Sequence, residues 1–280
     1  RVKAHNSSNA PWMCNSCIYY ICEDSKQNLW FATKSGISMR AADGTSVRFD
    51  SLKVGDVAVR DMVVMQLVEG RDGEMWLASN THGVIRIQGS GNSLSGYTFS
   101  GYSVSNGKLN SDYANCIYRD IEGRIWVGTG GSGLSLYDAV EDVFLPVHKL
   151  WNLPGDAVTN IQSDKKGNLW LGTNVGLLRL TVPRDLQNVT YRLYTTSDGL
   201  QDNIFNRGAS FGLSLVRDLV VLHHGSISVE SEEGKGTAFK IEFPVHRFAY
   251  SEEEIDDAVT LLDSDGIDAV QEDVLIEDIQ

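Results

Sequence analysis

Cys14 and Cys17 form a Cys-x-x-Cys pair, a spacing that can hold zinc or cycle between dithiol and disulfide. The remaining parts of either chemistry are missing. No second pair follows and no helix opens at the first, so neither zinc nor redox chemistry is expected of this pair; Cys22 and Cys116 fall at strand positions where small apolar residues pack. No metal site is expected. His223 and His224 stand where an apolar helical run ends, a place where histidine meets the last carbonyls of a helix, so a cap is expected and not a ligand pair. Asp24, Asp72 and Asp164 lie in short polar stretches ahead of tryptophans, where aspartate bonds its own turn backbone. No carboxylate pair can be assigned to glycoside hydrolysis from spacing, and no catalytic residue is assigned.

The elements that must position these side chains repeat. Trp30, Trp76, Trp126 and Trp170 recur at intervals of 46, 50 and 44 residues. Three residues before each stands Gln27, Gly73, Gly123 or Gly167; two after comes Ala32, Ala78, Gly128 or Gly172; then Thr33, Ser79, Thr129 or Thr173. Another glycine follows at Gly36, Gly83, Gly133 or Gly176. An alternating strand, a polar turn, the tryptophan strand, a glycine loop and a third strand make one unit, with a fourth strand from segments such as Ser46–Phe49 or Gly96–Phe99. Such a sheet does not bury both its faces alone, so the units are expected to stack radially as propeller blades.

The repeats resemble those of the two-component regulator propeller family, whose core reads Asp-x-x-Gly-Asn-Leu-Trp-Ile-Gly-Thr. Ser163–Thr173 (SDKKGNLWLGT) is nearly that pattern, and the resemblance extends over about residues 14–207. It implies the periplasmic sensor half of a hybrid histidine kinase, taking an oligosaccharide or other small ligand. Trp12, Tyr97, Tyr102, Tyr113 and Trp151 either stack on sugar faces or pack between blades; packing is the expected role. Tyr191–Ala209 is read as a fifth blade begun at about 191 and then abandoned. Family propellers close with more blades than four and a fraction, so self-association through open blade edges is expected.

A fifth tryptophan of the series never arrives near 216. Leu213, Leu215, Val216, Leu219, Val220 and Leu222 follow helical spacing instead. The segment Phe211–Val245 resembles the C-terminal end of a histidine-kinase ATP-binding domain. By that resemblance Gly212 and Leu213 end the glycine box that brings backbone amides to nucleotide phosphates at a helix N-terminus, and Thr237 matches the threonine near the adenine. Gly208 is either the first glycine of that box or the end of the blade; Ser210 stands where the box has glycine, and the blade is the preferred reading. Ile227–Val229 and Phe239–Phe243 are expected to pair around a turn at Glu232–Gly236. The full-length family uses ATP and magnesium, but no cofactor is expected in this chain. It shows no asparagine helix for magnesium and no Asp-x-Gly-x-Gly loop. None of His5, His82, His148, His223, His224 and His246 precedes an acidic residue as a phosphoacceptor does.

The net charge of −13 is concentrated at one end, because residues 251–280 hold twelve acidic side chains and no Lys or Arg. The rest is nearly neutral, and the basic footprint of a nucleic-acid partner is absent. Between Thr181 and Phe211 there is no run of roughly 20 apolar residues to span a membrane, and no apolar opening segment is seen. The family places its propeller in the periplasm and its kinase domain in the cytoplasm at the inner membrane, which leaves this chain's compartment open; a shortened or rearranged copy is expected. The expected fold is mainly β: an incomplete or small β-propeller of about four blades over 1–207, a short α+β remnant of a histidine-kinase ATP-binding domain over 208–246, and an acidic linker or tail over 247–280. The expected function is signal sensing in a two-component phosphorelay without autonomous kinase activity. An ATP-binding sensor kinase and a remnant without function are the alternatives.

Overall fold

Alternating residues at Ile18–Glu23 and a continuous apolar run at Leu29–Thr33 set the pattern that every sheet repeats. A computed structural model of the chain describes residues 10–91, 93–164, 166–198, 200, 204, 220, 224–232 and 236–242. The first blade is β1 (Ile18–Glu23), β2 (Leu29–Thr33), β3 (Gly36–Arg40) and β4 (Ser46–Arg48), an antiparallel meander in chain order. A small ribbon of β5 (Lys53–Val54) and β6 (Val57–Ala58) leads to the second blade, β7 (Val64–Glu69), β8 (Met75–Ser79), β9 (Gly83–Gly89) and β10 (Tyr97–Tyr102). The third is β11 (Ala114–Arg119), β12 (Ile125–Thr129), β13 (Gly133–Asp138) and β14 (Val143–Leu145), followed by the one-turn helix α1 (Val147–Leu150). The fourth is β15 (Val158–Ser163), β16 (Leu169–Thr173), β17 (Leu177–Thr181) and β18 (Thr190–Tyr194). β19 (Ser226–Glu232) and β20 (Gly236–Glu242) form the expected hairpin, paired from Ser226↔Glu242 to Glu232↔Gly236. The four blades lie in one compact unit, and this hairpin belongs to a second.

One expectation is corrected. The strand read as opening a fifth blade at about 191 is the outer strand of the fourth, paired with β17 from Leu177↔Tyr194 to Thr181↔Thr190. Outer strands carry neither the tryptophan nor the glycines, so the repeat pattern does not mark the blade they join. The helix expected after residue 211 lies outside the described residues, save at its end. There His224 is left-handed (φ 58°) and the Gly225 N–H donates to the Val220 carbonyl at 2.7 Å.

The core lies in three seams between successive blades. Trp30, Ile37 and Met39 meet Leu67, Met75 and Ile87 of the second blade. Trp76 and Tyr102 meet Ile117, Ile125 and Phe144 of the third. Trp126, Leu134 and Leu136 meet Ile161, Leu169 and Leu180 of the fourth. The tryptophan strands of blades 2 to 4 are buried along their whole length, which is why they read as unbroken apolar runs. The small residue two after the tryptophan is needed for this approach: a Cβ at Gly128 would lie 2.5 Å from Cys116 Sγ and 2.6 Å from Val158 Cγ1. Blade 1 keeps one face open. Ile21 and Leu29 are 52% and 38% exposed, whereas their counterparts Leu67 and Met75, Ile117 and Ile125, Ile161 and Leu169 are at most 4% exposed.

Candidate functional site

Three of the four blade turns are built around a carboxylate six residues before the tryptophan. Asp24 Oδ1 accepts the N–H groups of Lys26 and Asn28 at 2.9 and 2.8 Å, and its Oδ2 accepts Trp30 Nε1 at 2.8 Å. Asp164 repeats this with Lys166, Asn168 and Trp170, the last at 3.1 Å. Burial works against the charge of Asp24 and Asp164, but these bonds outweigh it and hold both carboxyls below the usual range. Asp120, not singled out by sequence, does the same for Trp126 at 2.8 Å and adds an ion pair to Arg124 Nε at 2.6 Å. Its signal was present, since it shares the spacing of Asp24 and Asp164. Asp72 lies in its blade turn as read, but four residues before its tryptophan, and its backbone N–H donates to Glu74. In blade 2 the capping position is Gly70, and Glu74 Oε1 accepts the Trp76 indole at 2.7 Å. A Cβ at Gly70 would fall 1.9 Å from that oxygen, so the glycine makes room for the displaced carboxylate.

The opposite end of the blades carries the loops. Thr33, Thr129 and Thr173 are fully buried, and each donates its hydroxyl to the loop glycine carbonyl, at 2.8, 2.9 and 2.7 Å. The loop glycines then donate across to the chain entering the next blade: Gly36 to Met62, Gly83 to Asp112 and Gly133 to Asp156. A side chain at Gly83 would collide with the Tyr102 carbonyl at 2.2 Å. This tie places Ser111–Tyr113 beside the Thr81-His82 loop. Tyr113 is 58% exposed there, and His82 bonds Thr81 Oγ1 at 2.7 Å. The other aromatics pack as expected: Trp12 on Phe31, Tyr97 on Trp30 and Phe49, Tyr102 on Trp76, and Trp151 on Trp126. Of the five, Tyr113 alone presents its ring to solvent among these loops.

A polar knot that sequence did not reveal clamps blades 2 and 3. Asp142 accepts the hydroxyls of Tyr102 and Tyr137 at 2.7 and 2.8 Å and pairs with Lys108, while Arg86 bonds Tyr137 at 2.8 Å. Burial disfavours its charge, yet the bonds from Lys108, Tyr102 and Tyr137 together hold its carboxyl down at about 2. Burial, then the bond to Asp142, raises Tyr102 and Tyr137. The cysteines build no centre. Cys14 Sγ donates to the Ile37 carbonyl at 3.0 Å, the four thiols are unpaired, and burial pushes the Cys116 thiol up to about 12. Among the described residues no cluster of three or more His, Cys, Asp or Glu is arranged to hold a metal.

Of the residues matched to a nucleotide site, Thr237 lies on β20 opposite Ser231. Gly208, Gly212 and Leu213 lie outside the described residues. Among the described residues no helix is long and apolar enough to cross a membrane.

Fold and repeats define a blade assembly joined to a second module, and comparison with known proteins names both. Residues 13–35, 108–131 and 152–175 match the two component regulator propeller model. These segments fall on blades 1, 3 and 4, the three that keep the capping aspartate. Residues 179–247 match the histidine kinase-, DNA gyrase B- and HSP90-like ATPase model, a match that opens inside the fourth blade. The sensor histidine kinase YclK of Bacillus subtilis is 32% identical over 96 residues, covering 31% of this chain and 20% of that protein. The circadian input-output histidine kinase CikA of Thermosynechococcus vestitus is 36% identical over 63 residues, 22% of this chain and 8% of that one. The chain therefore spans a fifth or less of these kinases. Among solved structures, the extracellular domain of the putative hybrid two component system BT3049 from B. thetaiotaomicron superposes with a TM-score of 0.57 at 24% identity, over 72% of this chain and 25% of that one. The extracellular domain of BT4673 from the same source gives 0.50 at 16% identity, over 82% and 28%. The chain thus carries segments that match the regulator-propeller model, followed by one that matches the ATPase model.

Proposed function

We propose that this chain is the signal-sensing propeller portion of a two-component phosphorelay receptor, without autonomous kinase activity. Residues 1–207 form the sensing portion, 208–246 the C-terminal fragment of an ATP-binding domain, and 247–280 an acidic linker. The observation that carries the reading is the set of regulator-propeller segments coinciding with three blades of one assembly, followed in the same chain by the ATPase-like match. The ligand is a carbohydrate held at the loop end, where Tyr113 offers an exposed ring beside His82 and Asp112. A flat aromatic face covers the C–H surface of a sugar while neighbouring polar groups take its hydroxyls. Phosphoryl transfer needs positioning and charge stabilisation from metal and cradle together, and the sequence shows no Asp-x-Gly-x-Gly loop, asparagine helix or phosphoacceptor histidine for it.

A screen of the full chain against plant- and host-derived oligosaccharides, read by thermal shift, tests the sensing claim. One or more sugars should raise Tm, with the shift reduced in Tyr113→Ala; no shift with any sugar would contradict it. Incubation with radiolabelled ATP and magnesium should leave the chain unlabelled. Acid-labile phosphohistidine would bring forward the second reading, an ATP-binding sensor kinase, which the match over 179–247 favours.

A further inference from the structure

Three of the four repeat tryptophans carry a guanidinium against the ring, and the remaining one borders a cavity. Arg86 lies 5.3 Å from the Trp76 ring centre, Arg124 5.4 Å from Trp126, and Arg179 6.0 Å from Trp170. Arg86 and Arg179 are the residues paired with their tryptophans across the blade, and Arg124 stands two positions before its own. Blade 1 has a cation at neither place. Met39 pairs with Trp30, Asn28 stands two before it, and Arg40 lies over Trp12 at 5.5 Å instead. Phe49 stacks on Trp30 at 5.4 Å with an interplanar angle of 16°, much as Tyr194 stacks on Trp170 at 5.6 Å and 19°.

What remains beside Trp30 is a cavity of about 180 Å³ at the seam of blades 1 and 2. That is room for roughly six waters at about 30 Å³ each. The buried Trp30, Met39 and Met75 line it together with Tyr97, Asp24 and Lys26. Trp30 itself is 3% exposed. A guanidinium is flat, weakly hydrated and attracted to aromatic faces. Asp24 adds a carboxylate, as Asp142 does 3.6 Å from Arg86 at the next seam.

We propose that this crevice binds a small guanidinium-bearing ligand, which supplies from outside the group that Arg86, Arg124 and Arg179 supply from within. The site is independent of the carbohydrate reading and lies at the turn end of the blades, away from Tyr113. Lys26 is the group that opposes a cation, and it makes the charge of the ligand testable.

The test is a titration of the ¹⁵N-labelled full chain with methylguanidinium, following the Trp30 indole N–H resonance as identified by its loss in Trp30→Phe. Uncharged N-methylurea is the control of equal shape. A saturable shift of Trp30 is expected with methylguanidinium and none with N-methylurea. Lys26→Gln should tighten binding by about two- to fivefold, the scale of one exposed charge. Met39→Arg should abolish it, because its own guanidinium takes the place that Arg86 takes in blade 2. Should Met39→Arg fail to fold, Lys26→Gln decides the matter alone. The proposal is overturned by an absent or non-saturating shift, by an equal response to N-methylurea, by unchanged or weaker binding in Lys26→Gln, or by glucose shifting Trp30 where methylguanidinium does not.

Discussion

Gln27 occupies the position where the other blades have glycine, and it adopts φ 64° where Gly73, Gly123 and Gly167 have 78°, 77° and 83°. A side chain in the left-handed region costs about 1–2 kcal/mol, partly offset by the extra freedom of glycine in the unfolded chain. Gln27→Gly is therefore expected to stabilise the chain by about 0.5–1 kcal/mol in urea unfolding. Gly70 and Glu74 give a sharper case. Gly70→Asp alone sets a second carboxylate against Glu74 and should destabilise, while Gly70→Asp with Glu74→Asn rebuilds the turn of blades 1 and 4. The double-mutant cycle should show coupling of about 1 kcal/mol or more; additive effects would contradict the account of the displaced carboxylate. These substitutions explain why the repeat is legible at Asp164 and blurred at Gly70. The requirement is a carboxylate at the indole, and two different positions can deliver it.

At the scale of the element, turn and seam are separate devices. Asp120 is buried to 2% at its side chain and holds Arg124, the turn backbone and the Trp126 indole at once. Asp120→Ala leaves Arg124 half-buried without its partner, and a loss of about 3 kcal/mol is expected. The Asp142 knot works across the seam of blades 2 and 3. Its carboxyl is lowered from 3.8 to about 2, so the stability it adds is complete above pH 4 and is lost as pH falls from there through 2. Asp142→Asn should flatten that part of the acid limb of a Tm-against-pH curve relative to the wild type; an unchanged limb would contradict the assignment. Sequence anticipated the strands because the tryptophan, the small residue and the loop glycines each answer a local demand: a buried strand, a close neighbour and a positive φ. The knot was hidden because Arg86, Lys108, Tyr137 and Asp142 come from four segments and share no local pattern. The outer strands were likewise ambiguous, and β18 was placed in the wrong blade for that reason.

At the scale of the whole molecule, blade 1 leaves one face exposed among the described residues. Ile21, Tyr19 and Leu29 are exposed on it, where each interior blade buries the counterparts of Ile21 and Leu29. Association through this face is a proposal that sedimentation can test: the chain should self-associate with rising concentration, and Ile21→Lys should keep it monomeric. A wild type that is monomeric throughout would contradict it. The loop end and the crevice lie at opposite ends of the same blades, so Tyr113→Ala and Lys26→Gln separate their ligands cleanly.

The measurement closest to the central claim is calorimetry of the purified full chain, titrated in parallel with the oligosaccharides and with ATP plus magnesium. Saturable heat from a sugar, diminished in Tyr113→Ala, and no heat from ATP is the result expected of a sensing propeller carrying a fragment of an ATP-binding domain. Micromolar ATP binding with silence from every sugar would contradict that account.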